Sequence, residues 1–174
     1  MGNVIGIVAE YNPFHNGHAR LIEQTRAQLG AVCPAVCVMS GDFVQRGSPA
    51  VYSKFARAEA AVRCGADLVL ELPLPWSLSS AEGFARGGVE IFTKLGIVDT
   101  LAFGCESGDG QAIFTAAQAM CEAEYDLALR EILDTGASYP AARQRALEAL
   151  GLDGKILEKP NDILALEYCK ALLQ

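Results

Sequence analysis

Little in this sequence marks a membrane or exported protein. No apolar run approaches the roughly 18–20 residues that cross a bilayer. The opening residues Met1-Gly2-Asn3-Val4-Ile5-Gly6 carry neither a basic stretch nor a small-residue cleavage site, and they lead straight into an apolar strand pattern. That excludes a signal peptide. The expectation is a soluble, cytoplasmic protein with no membrane partner. Basic charge is in deficit, with 14 Lys and Arg facing 21 Asp and Glu for a net charge of −7. A domain that gripped nucleic acid unaided would carry the opposite sign, because neutralising phosphate supplies most of the affinity. Any such contact is confined to a local patch or made by residues outside this chain. Metal ligands are scarce as well. There are two histidines, and the six cysteines (Cys33, Cys37, Cys64, Cys105, Cys121 and Cys169) offer no set of four ligands. Cys33 and Cys37, with Pro34 between them, lack a second Cys or His pair, so reduced thiols and no metal site are expected. Internal repeats and linker-like tracts are missing too.

What is present is a core-forming chain. Of 174 residues, 51% are hydrophobic and 20% charged, which excludes disorder and suffices for one ordinary domain over residues 1–174. Val4-Ile5-Gly6-Ile7-Val8-Ala9 is a continuous apolar run, the pattern of a buried parallel strand. Three more follow: Ala35 to Met39, Leu68 to Leu72 and Thr100 to Phe103. Helical segments separate them, from about Gly17 to Leu29 with a stop at Gly30, from a Ser53 N-cap to Gly65, and from Ser79-Ser80 to Leu95 with a stop at Gly96. Alternation to about residue 107 means βαβ crossovers and an α/β, Rossmann-like, doubly wound parallel sheet. Residues 108–174 form a helical C-terminal part. One helix is expected from Gly110 to Leu133, a second from Tyr139-Pro140 to near Gly151, and a third from Pro160-Asn161-Asp162 to Leu173.

In such sheets ligands sit beyond the carboxyl ends of the strands. The segment after the first strand reads Glu10-Tyr11-Asn12-Pro13-Phe14-His15-Asn16-Gly17-His18 and holds both histidines of the chain. Three apart at a loop-to-helix junction, they face the same side. Exposed backbone N–H groups and the positive helix end point there too. Gly17 allows a bulky ligand against the backbone. The arrangement suits a triphosphate attacked at the α-phosphorus, where positioning and charge stabilisation supply the catalysis. A simple capping role, a satisfied surface residue and half of a metal site are the alternatives. Arg46, Lys54 and Arg57 are candidates for phosphate or RNA contacts, and surface solubility is the other explanation for each. Trp76 could stack on a base, though packing over the sheet edge fits it better.

His15-Asn16-Gly17-His18 after a first strand resembles the HxGH signature of the HIGH superfamily of nucleotidyltransferases and class I aminoacyl-tRNA synthetases. Ala9 to His18, Val38 to Gly47, Asp67 to Pro73, Ser80 to Ala85, Phe103 to Glu106 and Lys159 to Tyr168 together resemble one family within it, the bacterial tRNA(Met) cytidine acetate ligases. The resemblance implies an enzyme that uses ATP, with Mg2+ on the nucleotide, to turn acetate into acetyl-adenylate. The acetyl group then goes to N4 of the wobble cytidine of elongator tRNA(Met). By position it implies that Val8, Ala9, Glu10, Tyr11, Asn12, Pro13, Phe14, His15, Asn16, Gly17 and His18 hold ATP, with His15 and His18 catalytic on its phosphates. Gly104 and Asn161 would complete the nucleotide contacts, although Asn161 could equally cap the helix beginning near Ile163. Cys105 stands where the family has Ser. The family also implies segments beyond Gln174: a further strand, a Ser/Thr-rich motif ending in Arg, and a tRNA-binding region. On that basis residues 1–174 should bind nucleotide without acetylating tRNA efficiently. A small-molecule adenylyltransferase and a non-catalytic nucleotide-binding remnant are the rival readings. The sequence carries no signal for oligomeric state.

Overall fold

Short apolar runs that are each followed by an amphipathic helix can satisfy their backbone polar groups by pairing side by side. The computed structural model describes residues 3–30 and 32–174 and has them do so. Strands β1 (Ile5–Ala9), β2 (Ala35–Ser40), β3 (Leu68–Leu72) and β4 (Thr100–Leu101) form one parallel sheet in the order β3-β2-β1-β4. Met1 and Gly2, on which part of the leader-peptide reading rests, lie outside the described residues. The helices are α1 (Asn16–Leu29), α2 (Lys54–Arg63), α3 (Leu74–Ser77), α4 (Ala81–Leu95), α5 (Gly110–Ala119), α6 (Ala123–Asp134), α7 (Tyr139–Ala149) and α8 (Pro160–Leu173). The chain divides into two compact units, Met1–Phe103 and Gly104–Gln174. None of the described helices is long and apolar enough to cross a membrane.

In the first unit the sheet is covered on both faces, and the alternation within β1 shows how. Ile5 and Ile7 join a core with Ile22 of α1, Ala61 of α2, and Ala35, Cys37 and Met39 of β2. The residues between them face α4. A Cβ at Gly6 would stand 2.7 Å from Val98 and 2.9 Å from Phe92, and Val8 closes on Gly88. Each fully buried Ile removes enough apolar surface from water to contribute about 1.5–3 kcal/mol. Ser53 and Ser80 cap α2 and α4 through their hydroxyls, and Gly96 ends α4 at φ 68, which only glycine adopts freely.

Two strands depart from the sequence reading. β3 was expected to be buried, but it is the sheet edge and buries only Leu72. β4 pairs over two residues, not four. In the second unit the single helix expected over Gly110–Leu133 breaks at Met120-Cys121-Glu122, where the amides of Cys121 and Glu122 bond back three residues instead of four. The cause is packing: α5 lies against α8 and α6 against α7, so one straight rod could not serve both. This unit's interior is built from Ile113, Ala116, Ala117, Met120, Ala142, Ala146, Leu147, Ala165 and Leu166. Glu167 is buried there between Arg143 and Lys170, the latter at 3.0 Å.

Candidate active site

The strand order reverses beside β1, because β2 and β3 extend to one side and β4 lies on the other. That switch point is where a doubly wound sheet opens a crevice. The chain leaving β1 therefore delivers its histidines to the place a ligand would occupy.

His15 is the N-cap of α1, with an extended backbone at φ −143 and ψ 172. Its Nδ1 accepts the Gly17 N–H at 3.1 Å, and the Nδ1 of His18 accepts the His15 N–H at 3.2 Å. This is a reciprocal capping box written in imidazoles. An imidazole whose Nδ1 accepts carries its proton on Nε2. Both rings are thus held as neutral tautomers with Nε2–H free to donate. They stack with centroids 3.7 Å apart and planes 24° from parallel. The sequence reading foresaw several open backbone N–H groups here. The structure spends those of His15 and Gly17 on the rings and those of His18 and Ala19 on the His15 carbonyl. Among the described residues of this first turn, only the Asn16 amide is left open. Gly17 matters to the turn itself. A Cβ there would sit 2.9 Å from Cε1 and 3.1 Å from Nδ1 of His15, so the missing side chain makes room for the ring.

An aromatic shelf supports the pair. Tyr11 meets His18 edge-on at 4.8 Å, Phe14 lies 5.3 Å from His18, and Tyr11 and Phe14 are 4.8 Å apart. Burial, with a smaller contribution from His15, lowers the His18 pKa from 6.5 to about 4, so this ring is neutral at pH 7. Tyr11 is buried, its hydroxyl 3.2 Å from the Cys37 sulfur, and desolvation drives its pKa upward. Its φ of 48 is a left-handed backbone that costs on the order of 1–2 kcal/mol in a non-glycine residue, and its buried contacts offset that cost.

Other side chains of the Val8–His18 segment are already engaged. Val8 packs on α4. Glu10 Oε1 accepts the Gln45 N–H and Asn12 Oδ1 accepts the Val51 N–H, each at 2.7 Å. Ala9 and Asn12 are half-buried, while Pro13 and Asn16 are exposed. Of the three cations singled out, Arg46 is exposed at φ 69 with no partner among the described residues. Lys54 pairs with Glu71 at 2.8 Å and Asp42 at 3.8 Å, which raises its pKa. Arg57 is not a surface cation at all. It is 1% exposed and bonds three backbone carbonyls. Trp76 packs over Gly87 of α4.

A family model described as HIGH Nucleotidyl Transferase matches residues 2–174. The chain belongs to the HIGH nucleotidyl transferase family. It is similar to the tRNA(Met) cytidine acetate ligase of Acetivibrio thermocellus, at 47% identity over 97% of this chain and 42% of that protein. It is also similar to the one of Clostridium acetobutylicum, at 43% identity over 99% of this chain and 46% of that protein. Among solved structures it matches Thermotoga maritima TmcAL bound with alpha-thio ATP, with a TM-score of 0.89 and 41% identity over 98% of this chain and 43% of that one. The chain spans less than half the length of these relatives.

The second unit carries the two remaining candidates. Gly104 is exposed, and a Cβ there would meet nothing within 4 Å. Asn161 is not an N-cap. The helix α8 starts at Pro160 with Lys159 as its cap, so Asn161 lies in the first turn with an exposed side chain. Its backbone N–H donates to Glu106 Oε1 at 3.1 Å. The sequence reading missed Asp162. Only 1% exposed, it accepts the N–H of Glu106 at 2.6 Å and of Ser107 at 3.1 Å, tying the segment after Gly104 to the start of α8. An acid in a first helical turn was the available signal.

Proposed function

We propose that the start of α1 binds the triphosphate of ATP, and that the enzyme containing these residues activates acetate as acetyl-adenylate and acetylates N4 of the wobble cytidine in elongator tRNA(Met). The observation that carries this reading is the imidazole capping box, which leaves two Nε2–H donors and the Asn16 amide at the positive end of a helix. Such donors meet phosphate oxygens without any reorganisation. In the first step an acetate oxygen attacks the α-phosphorus, the bond to the bridging oxygen breaks, and pyrophosphate leaves. Charge gathering on the oxygens is met by His15 and His18. In the second step N4 attacks the acetyl carbonyl and loses a proton, and AMP leaves with the bonding electrons.

Support comes from the names borne by the relatives and from the alpha-thio ATP bound to the Thermotoga maritima protein. With the Glu10, Tyr11 and Asn12 side chains occupied, Val8 through Phe14 would contact nucleotide mainly through the backbone. Gly104 and Asn161 stay in the proposal as nucleotide contacts on the strength of the family resemblance. Arg46 is the candidate for phosphate or tRNA. Among the described residues no group of three or more His, Cys, Asp or Glu is placed to hold a metal ion. Mg2+ belongs to the same reading as the triphosphate's counter-ion. A cytoplasmic location is part of the same reading.

Two experiments test it. Calorimetry with ATP should show His15→Ala and His18→Ala each losing about 1–3 kcal/mol, the value of a charge-assisted hydrogen bond. Unchanged affinity in both folded variants would make the histidines structural. Disrupting the gene should remove N4-acetylcytidine from elongator tRNA(Met), and persistence of the modified base would sink the acetylation reading.

A further inference from the structure

Arg57 has the largest fully buried side chain among the described residues. A guanidinium keeps its charge at any working pH, and removing it from water costs several kcal/mol unless every donor is met. Here every hydrogen bond goes to backbone, and the carboxylates of Asp42, Glu10 and Glu71 nearby favour the charge. Nε donates to the Tyr52 carbonyl at 3.1 Å, one terminal nitrogen to Glu10 at 2.5 Å, and the other to Gly41. Glu10 is the first residue after β1 and Gly41 the first after β2, both just beyond the last rungs of the sheet. Their carbonyls point where no strand continues. A planar fork with five donors on three nitrogens reaches three carbonyls arriving from three segments, whereas the three donors of Lys radiate from a single nitrogen.

We propose that Arg57 is a positioning residue for the histidine loop, locking the chain that leaves β1 to the chain that leaves β2. Two bonds already described run in parallel, Glu10 Oε1 to the Gln45 N–H and Asn12 Oδ1 to the Val51 N–H. All three fix residues 10–12. Tyr11 lies between them, its backbone in the left-handed region and its ring edge-on to His18 at 4.8 Å. The path is short: Arg57 holds the Glu10 carbonyl, that sets Tyr11, and Tyr11 forms the wall against which His18 stacks on His15. Arg57 touches no ligand in this scheme and acts only through the loop. A helix cation that looks like a phosphate contact in sequence thus shapes the site from beneath.

The chain's only two histidines make the test direct, because each imidazole can be followed by NMR as pH is changed. In Arg57→Met the loop loosens and His18 should titrate well above 4, approaching 6.5. Resting on the nucleotide reading, ATP affinity should fall about tenfold or more as the two Nε2–H donors lose register. Arg57→Lys, which keeps the charge and reaches one carbonyl, should fall between wild type and Met on both measures. Arg143→Met removes a largely buried cation from the second unit, and it should lower thermal stability without moving either histidine. A His18 midpoint still near 4 in folded Arg57→Met overturns the proposal whatever ATP does. Should that variant fail to fold, an unmoved midpoint in Arg57→Lys overturns it equally. If the midpoint moves while wild type binds no ATP, the positioning role stands and the nucleotide reading falls.

Discussion

Lowering the pH from 7.5 to 5 perturbs one group at the site in a way the geometry makes quantitative. In the free protein His18 is held near pKa 4 by burial and by His15. Two like charges 3.7 Å apart would repel by about 1–4 kcal/mol between bulk-water and protein-surface dielectrics, so the stack itself resists protonating both rings. A bound triphosphate shifts the balance by placing negative charge against the Nε2 edges, and the proton it favours goes to Nδ1 of His18, which then releases the His15 N–H. If the complex returns His18 to its ordinary 6.5, proton linkage strengthens ATP binding about tenfold between pH 7.5 and 5.5 and about thirtyfold at pH 5. Stability moves the opposite way. The folded pKa lies below the unfolded value, so this contribution is complete above pH 6.5 and is lost as pH falls toward 4. The whole interval converts to about 3 kcal/mol, and solvent screening of a half-buried ring leaves about 1–2 kcal/mol. Isothermal titration in buffers of different ionisation heat reads the proton taken up. The same titration on His18→Ala subtracts the nucleotide's own protonation. A free-protein midpoint near 6.5, or binding without proton uptake at pH 5.5, refutes the reasoning.

Other perturbations separate stability from binding. Gly17→Ala pushes a Cβ into the His15 ring. The lost cap, about 1 kcal/mol, and the gained helix propensity, also about 1 kcal/mol, nearly cancel, so urea denaturation should show little change while calorimetry shows weaker ATP binding. Glu167→Ala removes the buried carboxylate that both Arg143 and Lys170 reach, and it should cost about 3 kcal/mol in urea denaturation. All six cysteines are free thiols, and elemental analysis should find no stoichiometric zinc.

The parts of the fold legible in the sequence were those set by short-range rules. Ser53 and Ser80 announced α2 and α4, Gly96 ended α4, and the apolar runs at β1 and β2 showed their periods openly. Length alone could not show that Met120 to Glu122 bends, because the residues there are tolerable in a helix and the break answers partners on α7 and α8, distant in sequence. The histidines were legible as a pair with a cap among the alternatives, but that each ring caps the other's turn was not, since it depends on the rotamers of both. Arg57 misled for a simpler reason. A cation on an amphipathic helix normally reaches outward, and only the carbonyls of Glu10, Gly41 and Tyr52, gathered by the sheet's topology, make the inward rotamer favourable.

The identity of the caps is itself an argument about what the site is for. Ser, Thr, Asp and Asn are the preferred N-caps, and a capping box normally pairs Ser or Thr with Glu or Gln three residues on. Here the two positions hold His15 and His18, and His18 also bears the desolvation that holds its pKa near 4. If helix stability alone shaped this turn, the double change His15→Ser with His18→Gln would serve it better. It restores the usual box, removes a half-buried ring stack, and introduces no charge. The expected outcome is a folded protein of equal or greater stability, within about 1 kcal/mol in urea denaturation, whose ATP binding is weakened by at least the value of one of its two lost charge-assisted bonds, about 1–3 kcal/mol. A double variant that keeps wild-type affinity would remove the histidines from the ligand's contacts. A large loss of stability would instead show that the stacked rings, and not the capping bonds, hold the start of α1. Lower affinity at unimpaired stability is the result that separates a helix cap from a binding site, and it follows from two Nε2–H donors that no cap requires.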